Sequence, residues 1–456
     1  MKKKGKYFSI LNLFLVFVFL LTSGFGCKNP GAAVQEALKP IELNYWRVFD
    51  DQDSFDEIIT AYKLLHPNIT INYRKFRFEE YEQALLEALA EDRGPDIFSI
   101  NEGWVREYES KLVPMPSEIT MAYQYTKGTV KKEVVYELET KKAPSFRDIK
   151  TNFADTVYED VVLDGNVYGL PMSLETLVMF YNKDIINKSG VAKIPNDWES
   201  FQEAVQKSTR FNAEGDIVQA GTAMGTGYNV DRSFDILSIL MMQSGANMTD
   251  ANNRATFANE TTKDYSPGIK SIEFYLDFAS PVKNVYTWNT DMPSSFESFL
   301  SGRVAFMFGY NYHLPSIRAR APKLNFGIAP IPQINPDNPV NYSNYWIEGV
   351  SQKSEHSDEA WDFIIFSTEV EQAIKYLEIT NRPTALKELL NTQMEDEDLY
   401  PTSIQLLTSK NWYGGKNQPA AEEAFKDMVE DLPNYISEKE FNNVINNIIL
   451  RINQTI

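Results

Sequence analysis

The chain has 456 residues, of which 43% are hydrophobic and 13% aromatic, enough for a sizeable core in two or three domains and too apolar for global disorder. Its formal net charge of -19 repels phosphate backbones and argues against nucleic acid as a partner. A single cysteine, Cys27, leaves no internal disulfide, and the histidines at 66, 313 and 356 are too scattered for a His-rich metal site, so no metal or cofactor is expected.

Residues 1–26 read as a signal peptide. Lys2, Lys3, Lys4 and Lys6 form a basic start. Ile10 to Leu21 is apolar apart from Asn12, too short for a membrane span of ~20 residues. Small residues then lead to Cys27, an arrangement that resembles the bacterial lipobox, with Gly24 where that motif prefers an aliphatic residue. The resemblance implies lipidation of Cys27 and an extracytoplasmic protein anchored in the periplasm or on the outer face of the cytoplasmic membrane. An ordinary signal peptide followed by an incidental cysteine is the alternative. Residues 27–40 then form the lipidated Cys and a tether.

The folded body opens with alternation in Ile41 to Phe49, a strand. Ser54-Phe55-Asp56-Glu57 has the form of a capping box and predicts a helix to Leu65. Ile69 to Phe76 is a second strand, Glu79 to Asp92 a helix, and Asp96 to Ile100 a third strand. This order predicts an α/β fold with a parallel sheet. The basic pairs Lys131-Lys132 and Lys141-Lys142 read as a solvated helical face. Further on, Tyr168 to Asn182 is β-rich. Asp197 is the N-cap of a helix from Trp198 to Thr209, and Arg232 to Gln243 is an apolar helix. Val304 to Phe308 is a buried strand, and the C-terminal part is mostly helical.

Several segments in this order resemble the family 1 extracellular solute-binding proteins of ABC importers, the group that includes maltose-binding protein. They are HPNITINY, Gly94-Pro95-Asp96-Ile97, DGNVYGLP, ETLVMFYNKDIINKSGV, the Ile194 to Phe201 segment IPNDWESF, FLSGRVAFMFG and EAWDFIIF. The resemblance implies a two-lobe periplasmic-binding-protein-like fold of type II, crossed three times at a hinge. Crossings are expected near Glu175–Leu177, Trp346–Val350 and Arg382–Ala385. Lobe one is then 41–175 plus 349–381, and lobe two 176–348 plus 382–456. The implied function is capture of a small solute between the lobes by a monomer that delivers it to ABC permease subunits.

A sugar offers apolar faces to aromatic rings and a rim of hydroxyls to carboxylates, amides and arginine. Aromatic and polar residues at the strand ends therefore favour carbohydrate. The candidates are Asp51, Gln52, Asn101, Glu102, Trp104, Glu175, Tyr228, Asn229, Tyr310, Asn311, Trp346, Glu348, Arg382 and Trp412. Asp51 and Gln52, with Asp50 before them in the same loop, read equally as turn residues, Trp104 also as lobe packing, and Glu175 also as half of a hinge salt bridge. Two alternatives stay open: a surface sensor or adhesion lipoprotein of the same fold, and a glycan-cleaving enzyme using two of Glu102, Glu175 and Glu348.

Overall fold

The computed structural model describes residues 31–434 and 437–456. The signal peptide and Cys27 lie outside the described residues. Strand Ile41–Val48 buries Leu43 and Tyr45 and exposes Glu42 and Asn44, as its alternation predicts. It pairs in parallel with Ile69–Phe76 and Ile97–Asn101, and the helices Asp53–Leu65 and Phe78–Ala90 make the two crossovers. Strand Trp346–Ser351 returns antiparallel beside Ile97–Asn101 and carries Leu112–Val113 and Leu170–Pro171 alongside. The first helix is capped differently from expectation. Gln52 is its N-cap, and Ser54 Oγ donates to the Asp51 carbonyl (2.6 Å).

The second lobe is built on a five-stranded sheet. Its order is Arg210–Phe211, Ile217–Thr222, Val304–Gly309, Val178–Asn182 and Phe326–Pro330. Asp197 caps the helix Trp198–Ser208, accepting from the Ser200 N–H at 2.7 Å. Helix Ser233–Gln243 is buried on nearly every side, which accounts for its mostly apolar sequence; its polar interruptions Asp235 and Ser238 are buried with it.

Two separate hydrophobic cores define the lobes. One gathers side chains up to Leu174 and again from Tyr345 to Leu406; the other runs from Leu177 to Tyr342 and resumes at Trp412. The chain thus passes between cores at 174–177, 342–345 and 406–412. Those three passages form one small sheet, in which Glu175–Thr176 pairs antiparallel with Asn341–Asn344, and Asn341–Asn344 pairs in parallel with Ser409–Lys410. The third passage lies beyond the Arg382–Ala385 expected from sequence, because Ala385, Leu386, Leu389, Leu390 and Leu406 pack into the first core. Gln405 ties the sheet to the second lobe, with Nε2 donating to Thr176 Oγ1 (2.8 Å) and Leu177 O (3.0 Å).

The segment holding the two lysine pairs is not helical. Glu118–Lys127 and Glu133–Lys142 form a long two-stranded hairpin. Lys131 and Lys132 sit in its turn, and Lys141 and Lys142 end its second strand. The tether helix Ala32–Ala37 packs against this hairpin without burying any of its own residues. Among the described residues, no helix is long and apolar enough to cross a membrane.

Candidate functional site

A cavity of about 610 Å³ opens where the two lobes meet the hinge. Its first-lobe wall begins at the end of strand Ile41–Val48. There Phe49 takes φ 73, a left-handed conformation that is a genuine outlier for a bulky residue. Such strain costs about 1–3 kcal/mol and persists where surrounding structure fixes it. Here the turn brings Phe49 over Phe78, with ring centroids 6.0 Å apart and planes 14° apart. Trp346 stands edge-on to both at 84°. Trp104 meets Trp346 at 5.3 Å and stacks on Tyr108. Phe49 and Phe78 remain about half exposed, so their faces are available to a ligand.

The second-lobe wall holds Tyr312, Arg232, Gln418, Pro419 and Glu422. The short helical turn Asn311–His313 exposes Tyr312 and stacks it on Tyr310 (5.6 Å) and His313 (4.3 Å). Arg232, at φ 62, sets the start of helix Ser233–Gln243 and pairs through Nε with Asp235 Oδ2 at 2.6 Å.

An ion network closes the hinge side. Arg47 Nη2 reaches Asp50 Oδ2 (3.1 Å) and Glu348 Oε1 (3.4 Å). Arg382 holds Asp50 Oδ1 at 2.9 Å and Glu175 Oε1 at 3.1 Å. Tyr376 donates to Asp50 Oδ2 (2.8 Å), Ser99 to Glu348 Oε2 (2.6 Å), and the Tyr312 N–H to Glu175 Oε2 (3.0 Å). Burial alone would raise Asp50, but Arg47 and Arg382 hold its carboxyl below the usual range. In Glu175 and Glu348 burial wins over their arginines, and both carboxyls rise. Burial also raises Asp160 to about 6, against hydrogen bonds from Tyr345, Asn411 and Thr156.

Among the residues singled out from sequence, Asn101, Trp104, Glu175, Trp346 and Arg382 line the cavity. Glu348 lies behind it, bound to Arg47. Glu102 is buried and accepts from the Tyr345 N–H at 3.1 Å. The others are placed elsewhere. Asp51 is exposed and pairs with Lys75 (2.9 Å), and Gln52 turns to Asp56. Tyr228 hydrogen-bonds Asp427 on the outer surface. Asn229 braces the carbonyls of Asn289 and Met292, both at 2.9 Å. Tyr310 is fully buried and donates to Asp235 (2.6 Å). Asn311 donates to the Asp398 carbonyl (2.8 Å), and Trp412 Nε1 to Ser238 (2.9 Å) inside the second core. Asp50, read together with Asp51 and Gln52 as one loop, does line the cavity, whereas the lining residues Arg47, Phe49, Phe78, Glu79, Glu82, Arg232, Tyr312, Gln418 and Glu422 were not singled out. Of these, Tyr312 stands next to Asn311, which was; the signal was the loop itself, and its local twist chose the side chain.

Residues 57–402 match the family described as bacterial extracellular solute-binding protein, which is most of the chain. The chain belongs to that family. This solute-binding protein is 22% identical over 360 residues to the maltotriose-binding protein of Pyrococcus abyssi, spanning 77% of the chain and 65% of the relative. Its fold matches the cyclic alpha-maltosyl-1,6-maltose binding protein of Arthrobacter globiformis with a TM-score of 0.71, at 18% identity over 91% of this chain and 99% of that one. The sugar-binding protein of Xanthomonas citri superposes with a TM-score of 0.68 at 16% identity, over 91% and 97%. The likeness fixes the two-lobe type II architecture for the solute-binding protein described here.

Proposed function

We propose that the protein captures a mono- or oligosaccharide between its lobes and delivers it, as a monomer anchored through Cys27, to the permease subunits of an ABC importer. The observation that carries this reading is the aromatic wall of Phe49, Phe78 and Trp346, facing the same cavity as Tyr312. Exposed flat rings with a polar rim of Asn101, Ser173 and Asn344 suit a sugar's apolar faces and hydroxyls. The Pyrococcus and Arthrobacter proteins, a maltotriose-binding protein and a cyclic alpha-maltosyl-1,6-maltose binding protein, point the same way. Binding without cleavage is supported by Glu102, Glu175 and Glu348, each held by a protein donor rather than poised as a free acid or base.

The test uses the full-length protein purified in detergent, titrated calorimetrically against a panel of oligosaccharides. We expect a saturable heat with at least one sugar and no new reducing ends after prolonged incubation. Silence across the panel, or steady release of reducing sugar, would sink the reading. For the anchor, Cys27→Ala should move the protein from the membrane fraction to the soluble fraction of the producing cell.

A further inference from the structure

Beside the cavity the two lobes touch through a glycine on one side and a glutamine on the other. Gly103 belongs to the short turn Glu102–Trp104, whose Trp104 packs into the first core. Gln418 opens helix Gln418–Asp431, whose Ala421, Ala424 and Phe425 pack into the second. The amide head of Gln418 fills the space that a side chain at 103 would take. A Cβ on Gly103 would overlap Oε1 and stand 2.6 Å from Cδ and 3.2 Å from Nε2.

Both partners are held in place. Asn101 Oδ1 accepts from the Gly103 N–H (3.2 Å), and Asn101 Nδ2 donates to the Tyr345 carbonyl (3.1 Å). Glu102 accepts from the Tyr345 N–H (3.1 Å), so the turn is bound to the second passage between the lobes. On the other side Asn417 caps the helix, accepting from the Ala420 N–H (3.0 Å), and its own N–H donates to the Tyr413 hydroxyl (3.0 Å). Pro419 fixes the backbone of the first turn. With both backbones pinned, the contact is a stop that limits how closely the lobes approach.

The contact is also incomplete. Gln418 is 5% exposed, and its Nε2 donates to Glu422 Oε1 (3.3 Å). Its Oε1 is closed off from solvent and receives no hydrogen bond, and the Gly103 N–H is committed to Asn101. A buried acceptor without a donor is costly, and that cost vanishes once the lobes part and water reaches the oxygen. The bond to Glu422 lies within one helix, so it is the same whether the lobes touch or not.

We propose that Gly103 and Gln418 are positioning residues for capture. The glycine is a notch that lets the lobes meet around a solute, and the undonated oxygen makes that meeting easy to reverse. This inference rests on capture between the lobes, whatever the solute.

The experiment measures the separation of two spin labels on the full chain without solute. Glu79→Cys and Glu423→Cys place them at exposed positions on helices that line the cavity from opposite lobes, and Cys27→Ala leaves no other thiol. Gly103→Ala should lengthen the mean separation, because the new methyl meets the Gln418 amide. Adding Gln418→Ala should restore it, which it would not do if the glycine served only its own lobe. Gln418→Met keeps the length of the side chain and removes the undonated oxygen. It should raise the ratio of short to long separations by about tenfold, the size expected for one such acceptor. An unchanged separation in Gly103→Ala, or one that Gln418→Ala fails to restore, overturns the notch. An unchanged ratio in Gln418→Met overturns the role of the oxygen. The measurement contains no sugar, so either failure leaves the carbohydrate reading standing.

Discussion

At the scale of single residues, the hinge-side ion network concentrates the consequences. Arg382 joins Asp50, at the end of the first strand, to Glu175, at the first passage between lobes. Removing it leaves Asp50 with Arg47 and Tyr376 but strips Glu175 of its only cationic partner in the network. Arg382→Ala should therefore cost about 2–3 kcal/mol, below the full penalty for an orphaned buried charge because Glu175 can take up a proton. Arg382→Lys should recover only part of this, since one ammonium cannot span two carboxylates as the guanidinium fork does. Urea midpoints of the three proteins check both expectations. The pH dependence has two limbs. Asp160 is raised to about 6 by burial, so the folded state takes up its proton first, and stability grows as pH falls through that value. Glu175 and Glu348, also raised, act with the same sign. Asp50 is depressed, so its contribution is present above the ordinary carboxylate range and is lost as pH falls through its lower folded value. The urea midpoint should rise from pH 7 to pH 5 and fall again near pH 3. Asp160→Asn, a neutral acceptor for Tyr345 and Asn411, should flatten the rise between pH 7 and 5.

At the scale of elements, the sequence was readable wherever periodicity and caps act locally. The strands Ile41–Val48 and Ile69–Phe76, the Asp197 cap and the buried strand Val304–Gly309 all follow from such signals. The hairpin Glu118–Lys142 escaped because only its base is buried, through Ile119, Met121 and Tyr123, while its second strand is largely exposed and rich in charge. The alternation of Ile119, Met121, Tyr123 and Tyr125 is present in the first strand, but the second strand's apolar residues Val134 and Leu138 are exposed, and the lysine pairs look like any solvated face. The third passage between lobes escaped for another reason. Residues 382–408 are apolar enough for either core, and only tertiary packing decides which one they join. The hairpin yields its own prediction. Gly128 begins its turn at φ 107, and a Cβ there would lie 2.1 Å from the Lys131 carbonyl oxygen. Gly128→Ala should therefore loosen the turn without touching either core. Hydrogen exchange should accelerate in Tyr125–Val135, with the melting temperature of the whole protein changed by little.

At the scale of the molecule, the decisive feature is that two cores stay separate. Side chains up to Leu174 and from Leu177 pack into different interiors, and what joins them is polar: one three-stranded sheet, Gln405, the Arg382 bridge and bonds such as Asn411 to Asp160 and Asn311 and Arg318 to Asp398. Interfaces of that kind couple domains weakly, so the lobes should not unfold as one cooperative unit. A solute lodged between them changes this. On the proposed reading, its contacts with Trp346 and Phe78 on one side and Tyr312 and Glu422 on the other would exist only while both lobes are folded. Binding therefore stabilises each lobe through the other, by about 2.7 kcal/mol at a free concentration 100 times Kd. The expected calorimetric trace without solute has two overlapping transitions. With saturating solute the lower one should move up further than the upper one, until they merge. Arg382→Ala should widen the gap between transitions in the free protein, because the bridge to Glu175 is part of what holds the lobes in register. A single transition in the free protein that solute shifts without changing its width would instead place the cooperative unit across both lobes, and with it a hinge stiffer than the separate cores imply.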